Sequence, residues 1–166
     1  GPTGTFNSTV FSVGSGAANN SNTNTYIAYC FSEVSGVSKF GSYSGTGSSG
    51  NAITGLGFRP GFLMIKNITS ASDWLIMDTT RNPFNPANIP LAPDATTAES
   101  SFGTTNRNID FDSDGFTIQS TAAGGTTTLN ASGNTYIYMA FKGSYSDYVS
   151  PLNDTGTIDS RVKANP

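Results

Sequence analysis

An all-β fold, an antiparallel β-sandwich of jelly-roll or concanavalin A-like type, is what this 166-residue sequence predicts, and three observations carry the prediction. Apolar residues alternate with period two in several short runs, while no stretch sustains a helical period. Gly, Pro, Asn and Asp stand between those runs as turn signals. Ser, Thr, Asn and Gly make 79 residues, nearly half the chain, yet the net charge is only -3 and aromatics reach 11%. A disordered tract would combine few aromatics with high net charge, so these small polar residues belong to turns and outward strand positions.

In chain order, Val10 to Val13 forms a first short apolar run. Residues 25 to 31 then place Thr25, Ile27, Tyr29 and Phe31 on one face and Tyr26, Ala28 and Cys30 on the other, the pattern of a strand buried on both sides. Phe62 to Lys66 follows a Pro60-Gly61 turn signal. After the polar Ser70 to Ser72, residues 73 to 78 return as its antiparallel partner. Ile109 to Phe111 and Phe116 to Gln119 flank Asp112-Ser113-Asp114-Gly115, a hairpin signal in which Gly tolerates positive φ. Thr135 to Phe141 is the last strand, launched by Gly133-Asn134. Between Thr79 and Asn108 there is no clear period, only Pro83, Pro86, Pro90 and Pro93; loops of such length in compact domains are functional or ordered by special contacts.

One internal repeat stands out. Asn24-Thr25-Tyr26-Ile27 recurs as Asn134-Thr135-Tyr136-Ile137, and Phe31 as Phe141, at an offset of 110 residues. A polar stretch (Ala17 to Asn22, Asn130 to Gly133) and a short apolar strand (Val10 to Val13, Phe116 to Ile118) precede each copy. Such spacing fits one sandwich per repeat. Residues 1–31 are therefore expected to be end strands of a preceding unit or an added strand pair, residues 32–143 the β-sandwich module, and residues 144–166 a linker toward a following unit. The start at Gly1-Pro2 without Met is expected of a piece of a longer polypeptide.

Composition excludes several chemistries. With no His and a single Cys, a Ser-His-Asp or Cys-His nucleophile pair, a His-containing zinc site and an internal disulfide are all absent from the chain. The eight basic residues are scattered and the pI is near 4.6, which disfavours nucleic acid as a partner. No apolar run approaches the roughly 18 to 20 residues that span a bilayer. The only glutamates, Glu33 and Glu99, lie in turn and loop contexts, and no strand offers a facing pair of acids for glycoside hydrolysis.

Several segments occur together in a recognisable order. Tyr26 to Phe31 is followed by Ser38-Lys39-Phe40-Gly41-Ser42-Tyr43-Ser44-Gly45-Thr46-Gly47 and by Gly57-Phe58-Arg59-Pro60 with Met64-Ile65-Lys66. Trp74 with Asp78 and Arg81 comes next, and Tyr136 to Phe141 closes the series. Over roughly residues 23 to 143 the chain resembles a module of large virion proteins of tailed phages, often marine ones, where it can occur in tandem. The resemblance implies a structural role in tail fibres or other surface appendages and supplies no catalytic motif.

Two groups of residues are candidates for ligand chemistry. Trp74, with Tyr43, Asp78, Arg81 and the loop to Asn108, is a candidate sugar-binding platform of stacking aromatics and polar groups. Against this, a lone Trp in a sandwich commonly fills or covers the core, and Asp78 and Arg81 are spaced to form an ion pair that orders the loop. Asp110, Asp112 and Asp114 before Gly115 copy the first half of a calcium loop, making calcium the one cofactor with residues in a fitting spacing. Thr121 stands where such a loop needs a bidentate Glu, so a solvated acidic hairpin is the competing reading.

The expected function is that of a non-enzymatic component of a phage tail fibre, surface fibre or decoration, located on the virion surface or extracellularly. Its expected partners are other virion proteins or copies of itself as a homo-oligomer, with Tyr26, Tyr136 and Tyr138 on outer faces that neighbours would cover. The alternative is a lectin-like, carbohydrate-binding module that recognises host surface glycans.

Overall fold

The computed structural model describes residues 7–99, 107–121 and 129–143, and the chain divides into two compact units, Gly1–Ser32 and Glu33–Pro166. The expected linker 144–166 lies outside the described residues.

The second unit holds seven strands: β1 (Ser38–Ser44), β2 (Asn51–Thr54), β3 (Pro60–Asn67), β4 (Trp74–Asp78), β5 (Ile109–Asp112), β6 (Gly115–Ile118) and β7 (Thr135–Lys142). They form a four-stranded sheet ordered β1-β7-β3-β4 and a three-stranded sheet ordered β2-β6-β5, with every neighbouring pair antiparallel. The fold is thus an all-β sandwich.

Each predicted hairpin forms for the reason its sequence gives. Alternation in β3 and β4 sends Leu63, Ile65, Leu75 and Met77 inward, all at most 2% exposed, and leaves Trp74, Ile76 and Asp78 half-buried. In the β5–β6 hairpin, Ile109, Phe111, Phe116 and Ile118 form the opposing wall. β7 lies between β1 and β3 and turns Tyr136, Tyr138 and Ala140 to the core. Tyr136 and Tyr138 were expected on an outer face; the register of β7 puts them inside, where they meet aromatic partners. Tyr43 stacks on Tyr136 with centroids 4.9 Å apart, and Phe116 crosses from the other sheet to meet Tyr43 and Tyr138 edge-on. Such offset and edge-on pairs add about 0.5–1.5 kcal/mol each beyond their buried area.

Close backbone approach shapes one corner. A Cβ on Gly61 would stand 2.1 Å from the Gly143 Cα, at the register shift where β3 departs from β7, so only glycine fits.

The first unit differs from expectation. Its one regular element among the described residues is a single helical turn, α1 (Ala17–Asn20). Residues 25 to 31 form no strand, and every residue from 22 to 31 is exposed. Alternation gives a segment two apolar faces, but a strand also needs neighbours that accept its backbone hydrogen bonds. No named strand of this unit provides them among the described residues.

Candidate functional site

The exit of β4 and the loop after it gather the first group of candidates. Asp78 caps the turn that follows, its Oδ1 accepting the backbone N–H groups of Thr80 at 3.0 Å and Arg81 at 2.8 Å. Its Oδ2 pairs with the Arg81 Nε. The rest of that guanidinium reaches along the loop, with Nη1 meeting Glu99 and the Ile89 carbonyl and Nη2 the Ile76 carbonyl. Arg81 is thus a fork that joins the strand end to both sides of the loop. Two backbone bridges complete the arrangement: Leu91 pairs with Ile76 of β4, and Ala87 with Ile109 of β5. Asn85 adds a side-chain copy of strand pairing, accepting from the Phe111 N–H at 2.9 Å and donating to the Phe111 carbonyl at 3.2 Å. Residues 85 to 91 of the proline-rich loop therefore bridge the β4 edge of one sheet and the β5 edge of the other.

Trp74 opens β4, and its backbone N–H donates to the Asp94 carboxylate at 3.0 Å. The Lys66 ammonium lies 5.9 Å from the ring centroid and also donates to the Ser72 carbonyl, so one side of the indole faces a cation of its own hairpin. Nearby charge is balanced within the fold: burial lowers the pKa of the Arg107 guanidinium, while the Asp73 carboxylate works in the opposite direction. Tyr43 is not part of this surface. Its ring is in the core and its hydroxyl donates to the Leu129 carbonyl at 2.7 Å, because β1 pairs it with Tyr136 rather than turning it outward. Burial, followed by the proximity of Tyr136, raises its pKa well above 10.0.

In the acidic hairpin the three carboxylates have separate partners. The Asp110 Oδ2 accepts from Gln119 at 2.6 Å, the Asp112 Oδ2 from Thr117 at 2.7 Å, and Asp114 takes the N–H groups of Gly55 and Gly57 at 3.1 and 2.6 Å. Each carboxylate thus serves a different neighbour, and among the described residues no three His, Cys, Asp or Glu side chains gather to hold a metal ion. The reason lies in the strands: Asp112 faces a side chain of β6 and Asp110 one just beyond its end, whereas Asp114, in the turn, anchors the segment between β2 and β3.

Asn130 was not singled out by the sequence, although like Arg81 it joins several segments. Fully buried, it accepts at Oδ1 from the Thr46 N–H and the Asn51 amide, and donates from Nδ2 to the Ser48 and Ser120 carbonyls. One side chain therefore binds the β1–β2 loop to the segments after β6 and before β7. In a sequence with 16 Asn residues, only long-range contact distinguishes it.

In the first unit, Asn7 to Phe11 and Tyr29 to Ser32 line an open cleft of about 540 Å³. Val10, Ile27 and Tyr29 are 61%, 78% and 80% exposed, so this unit carries apolar side chains on its surface.

No curated protein and no solved structure matches the chain. Residues 3–144, which include most of the first unit and the whole described sandwich, match the family model for a domain of unknown function, DUF7483, and the chain belongs to that family.

Proposed function

We propose that the chain is a non-enzymatic building block of a tailed-phage virion appendage, a tail fibre or surface fibre or decoration. In this reading it is exposed on the particle and packs with copies of itself or other virion proteins. The sandwich would be of the jelly-roll or concanavalin A-like type, with its loops displayed for attachment. One observation supports the reading most directly: the polar and charged groups that a ligand would recruit are engaged in holding the scaffold. Arg81 forks across the loop, Asp114 anchors the segment after β2, and Tyr43 is in the core. The resemblance of residues 23 to 143 to virion modules supplies the context. Repetition of such modules would multiply weak contacts into avidity.

Half-buried Trp74 keeps a second reading open, binding of host glycans at the β4 edge. The Lys66 ammonium over the indole ranks it lower, since it occupies a place where a sugar ring would stack. A glycan array with the purified chain separates the two readings. The scaffold reading predicts no saturable binding, whereas saturable binding lost in Trp74→Ala would replace it with the lectin.

A further inference from the structure

We propose that residues 6–31 are the closing part of another copy of this same sandwich, and that the exposed face from Tyr26 to Phe31 receives the β1- and β3-type strands of that copy. Those strands would be carried ahead of it in the same polypeptide. This inference is independent of the appendage reading and rests on a correspondence that extends from sequence into local geometry.

In sequence, Phe6-Asn7-Ser8-Thr9-Val10-Phe11-Ser12-Val13 aligns with Phe111-Asp112-Ser113-Asp114-Gly115-Phe116-Thr117-Ile118, the second half of β5, the turn and all of β6. The same register continues to Ser15, Ala17 and Ala18 opposite Ser120, Ala122 and Ala123. A loop shorter by five residues then shifts the offset from 105 to 110, and residues 24 to 31 align with β7.

The geometry repeats with the residues. The Asn7 N–H donates to the Val10 carbonyl at 3.0 Å, closing the tight turn at the positions equivalent to the Asp112↔Gly115 pair. The Asn24 N–H donates to the Ser21 carbonyl at 3.3 Å, as the Asn134 N–H does to the Ala131 carbonyl at 3.1 Å. The Tyr26 hydroxyl accepts the Ser21 N–H at 2.8 Å, as the Tyr136 hydroxyl accepts the Ala131 N–H at 2.9 Å. Thr23 takes φ +70°, matching Gly133 at +77°. A β-branched residue rarely adopts that conformation, so its presence here marks a turn dictated by the motif rather than by Thr itself.

What the first unit lacks is the remainder of the sandwich. In the complete module, β7 is hydrogen-bonded on one side to β1 and on the other to β3, and its Tyr136, Tyr138 and Ala140 are buried. Their equivalents are Tyr26, Ala28 and Cys30, all exposed. An alternating apolar segment whose side chains are exposed is a surface for β-strand pairing. The partner that fits it is the strand pair its twin already uses.

Cys30, the only cysteine, reports the outcome because it replaces Ala140, which is 0% exposed. The chain is extended at its start by a second copy of its own residues 33–110 joined to Phe6, and the rate of Cys30 modification by a thiol reagent is compared with that of the unextended chain. The proposal predicts modification slower by at least about a hundredfold, since reaction then requires opening of a packed strand. Leu63→Asp with Ile65→Asp in the added copy alone should restore the fast rate. Equal rates in the extended and unextended chains overturn the proposal. Protection in the unextended chain that grows with its concentration also overturns it, by placing a second chain on this surface.

Discussion

Asn130 shows how far a single side chain can set local order. Its amide satisfies groups from two earlier stretches of chain, one 79 to 84 residues before it and the other 10 residues before it. Replacing it by Ala strands the buried Ser120 carbonyl and removes the partner of the Ser48 carbonyl and the Thr46 N–H, so Asn130→Ala should lower stability by about 1–3 kcal/mol in urea unfolding. A change below about 0.5 kcal/mol would show that water replaces the amide. Tyr43 gives a pH-dependent prediction. The folded state holds its phenol neutral above pH 10.0, where the unfolded chain ionises. Its stabilising contribution is therefore present below about pH 10 and falls as pH rises through the folded value. Tyrosinate absorbance from Tyr43 should appear together with loss of near-UV circular dichroism; Tyr43→Phe should remove that late component. The Asp78 and Arg81 pair was readable from spacing because both partners lie within one turn of chain. Tyr43 and Asn130 were not, because burial and long-range partners decide their roles and neither leaves a local mark.

Among the elements, the β3–β4 and β5–β6 hairpins and β7 were legible from alternation bounded by turn residues. β1 and β2 were not. Ser38-Lys39-Phe40-Gly41-Ser42-Tyr43-Ser44 contains few apolar residues, and it becomes a strand because β7 offers it a continuous edge. Segment 25 to 31 is the converse case, with strong alternation and no strand. Sequence pattern reports what a segment can pair with, and the pairing requires a neighbour. The long loop tests a different contribution, that of Arg81. Its ion pairs are partly solvated, so Arg81→Ala should cost only about 1 kcal/mol globally. Locally, amide exchange across residues 79 to 99 should accelerate while that of Leu63, Ile65 and Leu75 does not. Equal acceleration in both would mean that the loop and the four-stranded sheet open as one unit.

For the whole molecule, composition pointed to a β-rich scaffold, and the two sheets account for where the apolar minority goes. Leu63, Ile65, Ile109, Phe116, Ile118 and Tyr136 concentrate between the sheets, while Ser, Thr, Asn and Gly fill the loops and edges. Asp78, Arg81 and Asp114 hold loops to strands, which under the proposed function suits a rigid building block. The proposal that the chain is part of a phage particle is decided by locating the chain. Antibody raised against it, with gold detection by electron microscopy, should label the fibres or surface appendages of virions from a phage that encodes it. Labelling confined to the soluble fraction of the lysate, with intact particles unlabelled, would contradict the account.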